Sequence, residues 1–82
     1  MVLREERWRH VVDGHPELAS LEGAVLRAVS HPTRDRAGRD ADERWYYLEL
    51  VPPRPSRWLK VVVRYGVQDG WIVTAFLRRR MP

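Results

Sequence analysis

The stretch that decides the fold covers residues 57–77 and reads Arg57-Trp58-Leu59-Lys60-Val61-Val62-Val63-Arg64-Tyr65, then Gly66-Val67-Gln68-Asp69-Gly70, then Trp71-Ile72-Val73-Thr74-Ala75-Phe76-Leu77. The outer segments are rich in β-branched and aromatic residues, which favour strands. The middle segment has the glycines and the aspartate of a turn. The stretch therefore predicts a β-hairpin with strands over 57–65 and 71–77.

The way that side chains alternate between the two faces of the hairpin predicts its register. If Tyr65 faces Trp71, one face holds only apolar or aromatic side chains, namely Leu59, Val61, Val63, Tyr65, Trp71, Val73, Ala75 and Leu77. This set is the predicted core face, because a slip of one residue would exchange it for a mixed set. The second face then holds Trp58, Lys60, Val62, Arg64, Ile72, Thr74, Phe76 and Arg78. Since it carries cations and a hydroxyl, we expect the second face to be the functional surface of the protein.

Two helices precede the sheet. Trp8, Val11 and Val12 have helical spacing within residues 3–13, and Asp13-Gly14 ends that helix. The second helix carries Leu21, Val25, Ala28 and Val29. His31-Pro32 ends it, while Pro16 and Ser20 leave its start open between two positions.

The chain divides into a helical half 1–31, a surface loop 32–43 and a sheet half 44–78, all in a single domain 1–82. The loop is charged and has no apolar period. Trp45 to Val51 predicts a further strand, and the prolines of 52–55 predict a connector. The predicted fold is α+β, with the N-terminal helices packed on one face of a three-stranded antiparallel sheet.

Composition and charge narrow the function classes. The chain has no cysteine, so it has neither a disulfide framework nor a thiolate metal site. It begins without an apolar leader and has no apolar run near eighteen residues, which predicts a cytoplasmic protein with no membrane contact. Residues 1–43 carry a net charge of −2 and residues 44–82 a net charge of +6. A basic sheet half suits a polyanion such as RNA, although an ordinary basic surface explains it equally well.

Five segments together resemble one family. They are Trp8-Arg9-His10-Val11, His15-Pro16-Glu17-Leu18, Tyr46-Tyr47, Trp58-Leu59-Lys60-Val61-Val62-Val63 and Trp71-Ile72-Val73-Thr74-Ala75-Phe76. In this order and separation, they resemble small phage and bacterial proteins of the barnase/EndoU/colicin/RelE-like nuclease superfamily. The resemblance runs from about residue 8 to residue 78, and the loop 32–43 departs from it. It implies helices on one face of a small sheet, with the active site on the other face.

The resemblance implies a toxin-type ribonuclease that uses no metal and no cofactor, and a cognate antitoxin or immunity protein as its partner. In that chemistry the 2′-hydroxyl attacks the adjacent phosphodiester and leaves a cyclic phosphate. The reaction needs a base, an acid and cations for the phosphate. The candidates on this chain are His10, His15, Lys60, Arg64 and Thr74.

Each candidate also has a structural interpretation. Histidine changes charge near neutral pH, so His10 and His15 suit acid–base work. His10 equally suits a helix surface, and His15 a turn before Pro16. Lys60 and Arg64 would clamp phosphate while Thr74 donates a hydrogen bond, or all three are solvated strand residues.

Further residues of the sheet half suit contact with a nucleic acid. Tyr47 and Trp58 would stack on bases, and Arg78 and Arg79 would contact phosphate. No cluster of residues has the spacing of a metal site. The alternative function is a non-catalytic module that binds RNA or a protein through the same fold, and a third is an interaction protein without a nucleic-acid role.

Overall fold

The computed structural model describes residues 4–50 and 58–79. These residues form helices and antiparallel strands, which confirms the α+β class. The elements are α1 Glu5–Gly14, a 3-10 helix Pro16–Leu18, α2 Glu22–Ser30, β1 Arg34–Ala37, β2 Glu43–Glu49, β3 Trp58–Tyr65 and β4 Gly70–Arg78. The predicted connector 52–55 lies outside the described residues, as does Leu3 at the predicted start of the first helix.

The sheet of the described residues has four strands in the order β1-β2-β3-β4, so the prediction of three strands was wrong. The additional strand, β1, lies inside residues 32–43, which were predicted to be a surface loop, and pairs antiparallel with β2. All four residues of β1 are exposed, so the strand has no apolar alternation that the sequence could show. An edge strand is held by backbone hydrogen bonds, and charged side chains protect it from pairing with another chain.

A β-bulge divides the β3–β4 hairpin. Two pairs follow the predicted register, Leu59 with Leu77 and Val61 with Ala75. Two pairs depart from it, Val63 with Ile72 and Tyr65 with Gly70. The bulge leaves Val73 as the extra residue of β4, because two residues of one strand then oppose one of the other. Ile72 consequently lies on the core face, which corrects its predicted place on the second face.

The core lies between the helices and the core face. α2 packs against β2 and β3, and α1 contacts β4. The buried cluster holds Val11, Leu18, Leu21, Val25, Ala28, Leu48, Leu59, Val61, Val63, Ile72 and Ala75, with Trp8 and Leu77 packed against it. Val61 and Val63 of the predicted core face are thus buried in one cluster with Leu21 and Val25 of the helical half.

Two residues predicted for the core face are partly exposed to solvent. Trp71 is 40% exposed and Tyr65 is 38% exposed, while Ile72 is 1% exposed. The bulge explains Trp71, because the observed register places it opposite Arg64. Tyr65 shares a hydrogen bond of 2.6 Å with the Tyr46 hydroxyl. Partial burial, together with that bond, raises the pKa of Tyr65 to about 12.

Helix ends follow from prolines and turns. The backbone N–H of His15 donates to Val11 and closes α1, and Pro16 then begins the 3-10 helix. α2 ends at His31 because the residue before a proline disfavours helical geometry. Among the described residues, no helix is long and apolar enough to span a membrane.

Candidate functional site on the second face of the sheet

The second face consists of four rows of side chains across the sheet. Antiparallel partners point to the same side, so the register gives the rows directly. From one end of the sheet to the other, the rows are Glu49–Trp58–Arg78, Arg34–Tyr47–Lys60–Phe76, Arg36–Trp45–Val62–Thr74 and Glu43–Arg64–Trp71. The two middle rows contain no acidic residue.

Lys60 is buried among aromatic rings at the centre of this face. The residue is 7% exposed, and its Nζ lies 3.6 Å from the centroid of the Trp45 ring. The same atom lies 5.7 Å from the Tyr47 ring and 5.5 Å from the Phe76 ring. Burial lowers the pKa of Lys60, and the charge of Arg78 lowers it further. The rings therefore stabilise a cation that has no carboxylate within 4.0 Å among residues 4–50 and 58–79.

Tyr47 is fully buried beside Lys60. The residue is 0% exposed, and its hydroxyl has no hydrogen-bond partner among the residues that the structure describes. Burial raises the pKa of Tyr47, while the charges of Arg78 and Arg36 act in the opposite direction. A ring with no exposed surface does not present a stacking face, so the predicted contact between Tyr47 and a base has no support in this geometry.

Arg64 is surrounded by carboxylates at one end of the second face. Its guanidinium donates to Asp40 at 3.0 Å and to Glu43 at 3.2 Å. The hydrogen bond to Glu43 and the charge of Asp42 raise the pKa of Arg64 above its ordinary value. Arg64 is thus already paired, which leaves little of its charge for a phosphate.

Three other arginines on this face lack such partners. Arg34, Arg36 and Arg78 have no carboxylate within 4.0 Å among the residues described. Arg34 and Arg36 are exposed on β1, and Arg78 is partly exposed at the end of β4. The predicted phosphate contact Arg79 follows β4 and is exposed. The cations of the second face that form no ion pair within residues 4–50 and 58–79 therefore flank the aromatic centre.

The five predicted catalytic residues do not all meet. Lys60 and Thr74 are diagonal neighbours on the second face. The His15 ring lies 5.7 Å from the Phe76 ring and 3.4 Å, through Nδ1, from a Glu17 oxygen. His10 lies elsewhere and lines a cavity of about 430 Å³ with Arg7 and Trp71.

The structure brings Lys60, Thr74 and His15 around Phe76. Arg64 lies in the row next to Thr74 but is paired with acids, and His10 lies on α1, away from Phe76.

Sequence reasoning missed Trp45, Arg34 and Arg36. Trp45 and Tyr47 are two positions apart on β2, and this spacing could have placed both on one face. Arg34 and Arg36 were overlooked because their segment was predicted to be a loop. Trp58 is partly exposed between Glu49 and Arg78, as a stacking residue requires.

Within residues 4–50 and 58–79, no three His, Asp or Glu side chains are grouped closely enough to hold a metal ion. Comparisons with protein families, with curated proteins and with solved structures found no match to this chain. The resemblance to the nuclease superfamily thus stays a prediction from the sequence, and the functional argument rests on the geometry of the second face.

Proposed function

We propose that this protein is a small RNA-binding module whose second face contacts single-stranded RNA. One observation carries the proposal: the partly exposed rings of Trp45, Trp58 and Phe76 alternate with cations on one side of the sheet. Aromatic rings stack on unpaired bases, and cations follow the phosphate backbone. A sheet face with both features suits a flexible strand better than it suits a rigid duplex.

The charge distribution supports this function. Arg34, Arg36 and Lys60 lie in the two middle rows, where no carboxylate opposes them. The acids of the second face lie at its two ends, with Glu43 bound to Arg64 at one end and Glu49 beside Trp58 at the other. A polyanion crossing the middle rows therefore meets cations that form no ion pair among the described residues.

The test is a salt titration of binding to a labelled single-stranded RNA of mixed sequence. If Arg34, Arg36 and Arg78 each contact one phosphate, log Kobs should fall with log salt at a slope of about −2. The double variant Arg36→Gln, Arg78→Gln should flatten that slope to about −0.7. Arg27→Gln is the matched control, because it removes an exposed arginine from α2 on the other side of the sheet.

Two results would contradict the proposal. Wild-type protein that does not bind RNA at low ionic strength would exclude the function. A change of slope in Arg27→Gln half as large as in the double variant, for one charge removed against two, would show that net charge, and not the second face, determines binding.

A metal-independent ribonuclease is the second candidate, and the surroundings of Phe76 favour it. His15 and Lys60 approach the same Phe76 ring, and Thr74 lies two residues earlier on the same face. In this reaction the 2′-oxygen bonds to phosphorus while the bond from phosphorus to the 5′-oxygen breaks. A base takes the 2′-hydroxyl proton, an acid protonates the 5′-oxygen, and a 2′,3′-cyclic phosphate remains. A cognate antitoxin would accompany such an activity, as the resemblance predicts.

Cleavage of mixed RNA in EDTA tests this candidate, with DNA as the substrate that lacks the 2′-hydroxyl. His15→Ala should lower the rate by roughly a hundredfold, and Thr74→Val should lower it less because it removes no charge. An equal loss in His10→Ala would support a mechanism with two histidines. Cleavage of DNA, or loss of activity on chelation, would contradict this chemistry.

A further inference from the structure

We propose that the Trp45 indole is the base-stacking site of the interface and that Lys60 and Glu43 are positioning residues that hold it. The inference rests on the RNA-binding function proposed above and names the nucleobase as the group that this site takes. It also gives Lys60 a role different from direct contact with phosphate.

Two contacts fix the Trp45 ring in one orientation. The Lys60 ammonium lies over one face of the indole, 3.6 Å from its centroid. At the edge of the ring, Nε1–H donates to Glu43 Oε1 at 2.7 Å. Trp45 is partly exposed, so a base can reach only the opposite face or the remaining edge of the ring. An aromatic ring that is already held in place loses little conformational entropy when a base stacks on it.

Glu43 is itself held from several sides. Its carboxylate accepts from Arg64 at 3.2 Å and from the backbone N–H of Arg39 at 3.4 Å. A Cβ at Gly38 would lie 2.6 Å from Glu43 Cγ, so only glycine lets the loop close against this side chain. The hydrogen bond from Trp45 lowers the pKa of Glu43, with Arg64 acting in the same direction and burial opposing both. Arg64 therefore helps to hold the Glu43 carboxylate that supports Trp45.

Arg36 is the cation next to Trp45 on the second face. The β1–β2 register pairs Arg36 with Trp45, so their side chains are neighbours on the second face. Arg36 is exposed and has no carboxylate within 4.0 Å among the described residues. A base that stacks on Trp45 would place its phosphate within reach of this guanidinium. Because every base has a π-face, we expect this site to show little base preference.

The experiment measures RNA affinity against salt for Trp45→Leu, Trp45→Phe and Lys60→Met. Loss of stacking in Trp45→Leu should weaken binding about tenfold or more at every salt concentration, without a change of slope, and Trp45→Phe should retain most of the affinity. Lys60→Met should also weaken binding with the slope unchanged. A direct phosphate contact would instead flatten the slope by about 0.7.

Fluorine NMR of protein labelled with fluorotryptophan gives a second readout that needs no folded Trp45→Leu variant. The signal that is missing in Trp45→Phe belongs to Trp45, and it should shift when RNA is added. Trp8, packed against the core, is the internal control whose signal should stay in place. In free Lys60→Met protein, the Trp45 signal should move because the cation above the ring is gone.

The outcomes separate this inference from the proposed function. If wild-type protein binds RNA but Trp45→Leu binds equally well, or if the Trp45 signal does not move, the stacking site is overturned while RNA binding stands. If Lys60→Met flattens the salt slope, Lys60 contacts phosphate and its positioning role is overturned. If wild-type protein binds no RNA, the proposed function fails, and the stacking site fails with it.

Discussion

The two faces of the sheet bury side chains by different means. On the core face, Leu59, Val61 and Val63 are 0% exposed beneath the helices, and the hydrophobic effect alone accounts for their burial. On the second face, Tyr47 and Lys60 are 0% and 7% exposed, although one carries a hydroxyl and the other a charge. Burying polar groups costs stability unless they are paired. We infer that the core face serves folding and that the second face keeps a buried polar centre whose flanking side chains are the ones proposed to contact RNA.

The largest expected effect is the loss of stability when a charge is placed on the core face. Val63→Asp would place an unpaired carboxylate among aliphatic side chains and cost several kcal/mol, of a total stability of roughly 5–15 kcal/mol for a domain of this kind. Urea unfolding followed by circular dichroism measures the loss. Val73→Asp is the matched control, because the bulge leaves Val73 partly exposed. A cooperatively folded Val63→Asp protein, or equal losses at both positions, would contradict the observed register.

The contrast between Val63 and Val73 also shows how far the sequence predicts the fold. Alternation correctly placed Leu59, Val61 and Val63, because burial on one face imposes a period of two. It could not locate the bulge, since one extra residue changes the register without changing the composition of the strand. β1 was not predicted because all of its side chains are exposed, so its sequence has no alternation of apolar and polar residues.

The functional site was less predictable than the fold. The sequence identified Lys60, Arg64 and Arg78 on the second face but missed Arg34 and Arg36. It could not show that Arg64 is paired with Asp40 of the loop before β2 and with Glu43 at the start of β2. Nor could it show that Lys60 is covered by rings from β2 and β4, because those contacts join residues far apart in the chain. Local patterns predict which side a residue faces, whereas its partners depend on tertiary packing.

The next prediction concerns the acidic end of the second face. Because the pKa of Glu43 is lowered from the ordinary value of 4.5, the stability it supplies is present above that value and is lost as pH falls through the lowered pKa. Glu43→Gln should therefore lower Tm at neutral pH and reduce the fall in Tm on acidification. Glu5→Gln is the control, since the Glu5 side chain is 83% exposed and pairs with Arg9 along α1. Thermal unfolding across pH 2–7 checks the difference. Parallel profiles for wild type and Glu43→Gln would contradict it.

A smaller effect is expected at the buried cation. Burial lowers the pKa of Lys60, so folding disfavours its charged form at neutral pH. Lys60→Met keeps the length of the side chain and removes the charge, so we expect equal or higher stability at neutral pH. As pH rises toward the ordinary value of 10.5, the wild type should gain stability relative to Lys60→Met, because its unfolded state binds more protons there.

Lys60→Ala is the control for this prediction. Unlike Lys60→Met, it also removes the aliphatic part of the side chain, so we expect it to lower stability because packing contacts are lost. The measurement is the urea midpoint of each variant at several pH values. A Lys60→Met protein markedly less stable than wild type at neutral pH would show that the cation–π contacts outweigh the cost of burying the charge. The second face would then contribute to folding as the core face does.

The smallest expected effect is at Tyr47, where removal of the hydroxyl oxygen alone tests how the second face differs from the core face. The hydroxyl is buried and has no hydrogen-bond partner among the described residues, so Tyr47→Phe should leave stability unchanged or raise it by about 1 kcal/mol. RNA affinity should not change, since a fully buried ring offers no stacking surface. Urea unfolding and the RNA titration check the two halves of the prediction. A stability loss above about 1 kcal/mol would mean that the hydroxyl is hydrogen-bonded in the folded chain. Weaker RNA binding at unchanged stability would mean that RNA reaches the buried centre of the second face. Contact with RNA would then not be confined to the side chains that flank Tyr47 and Lys60.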